Sequence, residues 1–138
     1  MFIQRGYIDA SGHPRFKITV HGPTGKGEFD ALIDTGFTGF LLLPELAASR
    51  LGMVSVTTMP FTMANGAEEP FRVLIGNVEI FPNETLSGIV ALGGFACPLI
   101  GMGLLRKAKK ALFVDSTTVA LVNEEELKRF VGSSGAES

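Results

Sequence analysis

The sequence contains few of the side chains that build covalent cross-links and metal sites. Its 138 residues include one cysteine, Cys97, and two histidines. A single thiol forms no disulfide within the chain, and three such side chains are too few for an ordinary zinc site. We therefore predict no disulfide, no metal and no other cofactor. Because Cys97 precedes a proline in an apolar setting, we expect a buried thiol rather than a nucleophile.

The sequence also lacks a strong charge and a long apolar segment. Its formal net charge is −2, so no general electrostatic attraction draws it to nucleic acid. No uncharged apolar run approaches the ~18 residues needed to cross a membrane, and the first residues do not resemble a secretion signal. We expect a cytoplasmic protein whose partners include neither nucleic acid nor membranes.

Apolar side chains are abundant. Hydrophobic residues make up 46% of the chain and charged residues 19%, a balance typical of a folded protein with enough apolar surface for an interface as well as a core. A chain of this length forms one domain. We predict a single domain over residues 1–138.

Short strands separated by turns dominate the pattern. Phe16, Ile18 and Val20 alternate with polar residues, which is the period of a strand with one face in water. Other strands are predicted at 28–34, 54–63, 71–80, 86–92, 112–114 and 119–122, with a turn at 82–83 and short helices at 44–51, 101–110 and 123–131. Asn123 is the predicted N-cap of the last helix. This pattern predicts an all-β, barrel-like domain with a C-terminal helical extension.

The segment 31–36, Ala-Leu-Ile-Asp-Thr-Gly, contains the candidate catalytic residues. Its apolar strand, expected to be buried on both faces, delivers Asp34 onto a tight glycine turn. Asp34 supplies a carboxylate, Thr35 offers a hydroxyl, and Gly36 allows backbone to approach the carboxylate closely. We predict these three residues as catalytic.

One carboxylate is insufficient for this chemistry. Its ordinary pKa lies near 4, so it is a poor base at neutral pH. Two carboxylates about 3 Å apart share one proton, and the pair then provides one acid and one base. The chain has one such turn, so the second carboxylate must come from a second copy, and a closed twofold dimer brings two identical side chains together on its axis.

Two further segments complete the pattern. Asn65-Gly66, between two predicted strands, is a strong hairpin signal. Leu99-Ile100-Gly101 joins an apolar pair to a glycine that can support the Asp34 turn. In their order and spacing, the three segments resemble the retropepsin-like aspartic proteases, the single-lobe homodimeric relatives of pepsin.

The resemblance extends from Phe16 to Val122, which makes 16–122 the predicted core and 123–138 an extension. It implies a closed β-barrel, a homodimer with one active site at the subunit interface, and a peptide or protein substrate bound in extended form. It also implies a flap that covers the substrate, and a segment that supports the site. The flap residues would be Met63, Ala64, Asn65 and Gly66, and the supporting residues Leu99, Ile100 and Gly101.

Two positions depart from the family pattern. Phe37 stands where many members have alanine, and Gly103 stands where many have asparagine or aspartate. The predicted function is an aspartic endopeptidase acting as a homodimer. The alternative is a catalytically silent peptide-binding or dimerisation module of the same fold.

Overall fold

The computed structural model describes residues 3–81, 84–94 and 97–131 of the chain. Within these ranges it contains eleven strands and three helices. The strands are β1 (Ile3–Arg5), β2 (Tyr7–Ile8), β3 (Pro14–Gly22), β4 (Gly25–Ile33), β5 (Leu41–Pro44), β6 (Thr57–Thr62), β7 (Glu68–Phe81), β8 (Glu84–Gly93), β9 (Leu99–Ile100), β10 (Lys110–Val114) and β11 (Val119–Asn123). The helices are α1 (Glu45–Arg50), α2 (Met102–Ala108) and α3 (Glu124–Val131).

Six strands close into a barrel. Starting from β3, the neighbours are β4, β9, β5, β8 and β7, and β7 pairs with β3 to complete the circuit. The β4–β9 and β5–β8 pairs are parallel and the others antiparallel. The predicted closed β-barrel is confirmed.

The inward faces of the barrel strands form the main core. Phe16, Ile18 and Val20 on β3 are at most 2% exposed, while Lys17 between them is exposed, as their alternation predicts. On β4, Ala31 and Ile33 are buried but Leu32 is only partly buried. The expectation that this strand end is buried on both faces is therefore wrong for Leu32, which points away from the core.

A second, three-stranded sheet pairs the first described strand with the last. β11 lies between β1 and β10, antiparallel to both. Val119 and Leu121 of β11 belong to the main core, so this sheet packs against the barrel. Helix α3 follows at once, and the side chain of Asn123 accepts a hydrogen bond from the Glu125 amide at 3.0 Å, which confirms the predicted N-cap.

The other two helices are short, and their ends differ slightly from the prediction. Pro44 precedes α1 as its N-cap rather than occupying its first turn. Helix α2 ends at Ala108 because Lys109 adopts a left-handed conformation with φ of 55°, and Lys110 already belongs to β10. Among the described residues, no helix has the length and apolarity to span a membrane. The predicted turn at 82–83 lies outside the described residues.

The β6–β7 hairpin extends from the barrel as predicted, although β7 begins earlier than expected. Residues 68–70 pair with 60–62 of β6. Two of these three residues are glutamates, which weaken the sequence pattern of a strand, but their backbone still pairs with β6. The far half of β7 pairs with β8 and β3 and so belongs to the barrel wall. One end of the hairpin is therefore anchored in the barrel, and its tip is free to contact another part of the molecule.

Candidate active site

The Asp34 loop, residues 34–40, connects β4 to β5 at one end of the barrel. The Asp34 amide donates to the Ile100 carbonyl at 2.9 Å, and the Asp34 carbonyl accepts from the Phe37 amide at 3.1 Å. Two residues earlier, the Leu32 amide donates to the Pro98 carbonyl at 2.9 Å. The backbone on either side of the carboxylate is thus held by hydrogen bonds.

The carboxylate of Asp34 is held by the residue that follows the turn. The Gly36 amide donates to Oδ1 at 3.0 Å, which shows the close approach predicted for this glycine. Within the described part of the chain, no hydrogen bond reaches Oδ2 and no basic side chain pairs with Asp34. Thr35 is exposed, and its hydroxyl has no partner among the same residues. One carboxylate oxygen and one hydroxyl therefore stay available for a substrate or a second subunit.

The support segment, residues 99–103, lies against the inner side of the Asp34 loop. Three backbone amides donate to carbonyls of the loop, at distances of 2.9 to 3.2 Å: Met102 to Phe37, Gly103 to Gly39 and Gly101 to Phe40. Two backbones that approach this closely leave no room for side chains between them. The structure thus brings Leu99, Ile100 and Gly101 to the place predicted for them.

The two glycines of the support segment are required by this packing. A Cβ atom on Gly101 would lie 2.1 Å from the Gly39 carbonyl oxygen and 2.6 Å from the Phe37 ring. A Cβ atom on Gly103 would lie 2.9 Å from the same carbonyl group. Gly103 thus has a steric role, in close packing against Gly39, where many family members carry a polar side chain.

The tip of the β6–β7 hairpin covers the outer side of the Asp34 loop. Its turn closes through hydrogen bonds from Gly66 to Met63 and from Met63 to Ala67, both 2.9 Å. Gly66 has a φ of 84°, and the Asn65 side chain accepts from the Ala67 amide at 2.9 Å. This is a three-residue hairpin loop that ends in a left-handed glycine.

The hairpin tip contacts the loop directly. A Cβ atom on Gly36 would lie 2.6 Å from the Ala64 Cα and 2.7 Å from its Cβ. The Thr38 amide donates to the Thr62 carbonyl at 3.3 Å. The structure therefore brings the predicted flap residues to the predicted catalytic turn, even though Asp34 and Ala64 are 30 positions apart in the sequence.

Phe37, Phe61 and Phe71 form an aromatic cluster beside the Asp34 loop, and sequence reasoning gave Phe61 and Phe71 no role. The Phe37 and Phe61 ring centroids are 5.7 Å apart, and Phe61 and Phe71 are 6.1 Å apart. They belong to a second apolar cluster with Leu42, Val73 and Ala91. The departure from the family pattern at position 37 drew attention to Phe37. No pattern in the sequence links it to Phe61, so their contact could be found only in the folded chain.

Cys97 differs from its expectation. It is exposed, and its Sγ lies 3.3 Å from Nη1 of Arg15. The prediction of a buried thiol is wrong because the two apolar residues that follow it, at 98 and 99, are themselves only partly buried. The thiol therefore lies at the surface, just before the support segment begins.

Comparison with known structures agrees with this architecture. A retropepsin-like aspartic protease from Rickettsia conorii superimposes with a TM-score of 0.59, at 22% sequence identity, over 87% of this chain and 88% of that one. The chain has a retropepsin-like fold. No protein-family model and no curated protein sequence matches it.

A further similarity is weaker. The retroviral protease-like domain of Ddi1 from Leishmania major matches with a TM-score of 0.36 and 13% identity, over 78% of this chain and 96% of that one. In the retropepsin-like fold of the present chain, the Asp34 loop, the support segment and the hairpin tip meet at one place.

Proposed function

We propose that this protein is an aspartic endopeptidase that acts as a homodimer, with Asp34 of each subunit forming the catalytic pair. The observation that carries the proposal is the geometry of Asp34. Its backbone is fixed by the support segment, Oδ1 accepts the Gly36 amide, and Oδ2 and the Thr35 hydroxyl point to no partner among the described residues of the same chain. A second subunit related by a twofold axis would supply the missing carboxylate.

The paired carboxylates share one proton, because two negative charges this close are unfavourable. The charged member removes a proton from a water held between them, and the water oxygen attacks the peptide carbonyl carbon. The protonated member donates its proton to the carbonyl oxygen. Collapse of the resulting diol breaks the C–N bond, and the leaving nitrogen takes a proton from the pair.

The surrounding segments have defined tasks in this proposal. The Met63–Gly66 turn would cover a peptide bound in extended form, and Thr35 would contact the backbone of the partner across the axis. Leu99, Ile100 and Gly101 would hold the Asp34 loop in place as the pair changes its protonation state. None of these tasks needs a metal ion or a covalent intermediate.

Incubation of the purified protein with a mixed peptide library between about pH 4 and 7 tests the activity, with products detected by mass spectrometry. We expect cleavage by the wild type and none by Asp34→Asn. Asp30→Asn is the matched control, since Asp30 is an exposed aspartate on β4, four positions before Asp34, and it should retain cleavage. Peptide capture by the wild type without any products would identify the alternative, a silent peptide-binding module.

A subunit-mixing experiment tests the dimer. When equal amounts of wild type and Asp34→Asn subunits exchange freely, about half of the wild-type subunits pair with an inactive partner. Activity per wild-type subunit should then fall to about half. Unchanged activity, or a mass in light scattering that stays at the 14.7 kDa of one chain, would refute the paired site.

A further inference from the structure

The hairpin tip occupies the space that a substrate would need. A peptide strand inserted between two segments needs about 4.8 Å between backbones on each of its sides. The Thr38 amide already donates to the Thr62 carbonyl at 3.3 Å, so the loop and the hairpin are direct hydrogen-bonded neighbours, and Gly36 has no room for even a Cβ atom below Ala64. An extended peptide therefore has no path between the Asp34 loop and the hairpin in this arrangement.

Phe37 is the fixed side of this closed arrangement. Its side chain is 0% exposed, and its carbonyl accepts the Met102 amide at 2.9 Å. Its ring fills the space beside two glycines, because a Cβ atom would lie 2.4 Å from the ring at Gly39 and 2.6 Å from it at Gly101. The ring is thus held by the loop and by the support segment and has no room to turn away.

Phe61 is the hairpin side of the contact. It lies on β6, next to Thr62, and is only partly buried. Its ring meets Phe37 at 5.7 Å with an interplanar angle of 58°, and meets Phe71 on β7 at 6.1 Å. These are favourable tilted geometries for aromatic pairs. Phe61 thus joins both strands of the hairpin to the Asp34 loop.

We propose that the Phe37–Phe61 contact closes the hairpin over Asp34 in the free subunit, and that a substrate reaches Asp34 only after these rings separate. This inference rests on the proposed function and adds its regulation. Phe61 is a positioning residue here, because it touches neither the carboxylate nor the scissile bond. Residue 37 is one of the two positions at which this chain departs from the pattern of the family it resembles.

Hydrogen exchange of the full chain without substrate tests the contact directly. Phe61→Leu keeps an apolar side chain but removes the ring contact, and amides at 57–68 should then exchange about tenfold faster. The Thr38 amide, which lies on the other side of the contact, should also exchange faster. Phe29→Leu is the matched control, since Phe29 is a partly buried phenylalanine packed against the main core, and it should leave both rates unchanged.

Two exchange results would overturn the proposal. One is an unchanged rate at 57–68 in Phe61→Leu. The other is an equal rise at the buried amides of β3 and β4, because exchange would then report global unfolding rather than opening of the hairpin. Phe37→Leu, changed on the fixed side, should give the same local result as Phe61→Leu.

Kinetics on the library peptide that the wild type cleaves best provide the second readout. A closed free state raises the apparent KM by the cost of opening, so Phe61→Leu should lower KM several-fold and leave kcat within about twofold. A purely structural role predicts an unchanged or higher KM, which would contradict the proposal. If no peptide is cleaved, the proposed function fails, and the exchange result still decides whether the Phe37–Phe61 contact closes the hairpin. If peptides are cleaved but the exchange rates are unchanged, only the proposed role of the contact is refuted.

Discussion

The two sides of the Asp34 loop are held in different ways. The support segment on the inner side makes four backbone hydrogen bonds to residues 34–40, and its glycines pack directly against the loop backbone and the Phe37 ring. The hairpin on the outer side makes one backbone hydrogen bond, from Thr38 to Thr62, and otherwise contacts the loop through apolar groups. The inner contact holds the backbone on either side of the carboxylate, and we expect the outer contact to open without disturbing it.

The largest effect should come from Gly101→Ala on the inner side. The new Cβ would lie 2.1 Å from the Gly39 carbonyl oxygen, and neither backbone can move without breaking hydrogen bonds. We expect a loss of about 3 kcal/mol or more in the free energy of unfolding, measured by chemical denaturation. Gly94→Ala is the control, because a Cβ there meets nothing within 4 Å. Equal stability of the two variants would contradict a fixed inner contact.

Gly36→Ala should have a smaller effect on the outer side. Its Cβ would collide with Ala64, but the hairpin tip can move away, so we expect a cost of about 1 to 2 kcal/mol. Hydrogen exchange should become faster at 57–68 and stay unchanged in β3 and β4. A loss of stability as large as that of Gly101→Ala would show that the hairpin is as rigidly held as the support segment.

Gly66→Ala tests the hairpin tip alone. Gly66 has a φ of 84°, and a Cβ atom there would meet nothing within 4 Å. The substitution should therefore lower the free energy of unfolding only by the cost of a left-handed backbone, about 1 kcal/mol. The expected result is a small drop in thermal stability with faster exchange confined to the hairpin. Faster exchange at residues 99–103 would mean that the two sides of the loop are coupled.

The smallest effect is the loss of stability in acid that comes from the turn between β2 and β3, away from the Asp34 loop. The Arg15 guanidinium, whose Nε donates to Asp9 at 2.6 Å, and the His13 amide lower the pKa of Asp9 from 3.8 to about 2. A lowered pKa adds stability above pH 4 that is lost as the pH falls towards 2. Thermal melts between pH 2 and 5 should therefore vary less for Asp9→Asn than for the wild type. Parallel pH profiles of the two proteins would show that this pair contributes nothing.

The sequence predicted the parts of this molecule that local patterns encode. The alternation in β3, the Asn65-Gly66 turn and the N-cap at Asn123 each depend on neighbours within a few residues. The meeting of Asp34 with the segment that begins at Leu99 was inferred from a family resemblance, since no local pattern links residues this far apart.

The remainder depends on contacts between distant residues. The Phe37–Phe61 contact joins a loop to a hairpin, and the pairing of β1 with β11 joins the first described strand to the last. The exposure of Cys97 depends on which neighbours cover it, which its own apolar surroundings in the sequence do not decide. These features appear only once the barrel has closed.

The exposed thiol of Cys97 has a practical consequence. Because it is the only cysteine in the chain, a maleimide spin label or fluorophore would attach at one known position beside the support segment. A second label introduced by Asn65→Cys, at the exposed hairpin tip, would turn the separation between tip and barrel into a measurable distance in individual molecules. A dipolar spectrum or energy-transfer efficiency would then report the distribution of open and closed forms.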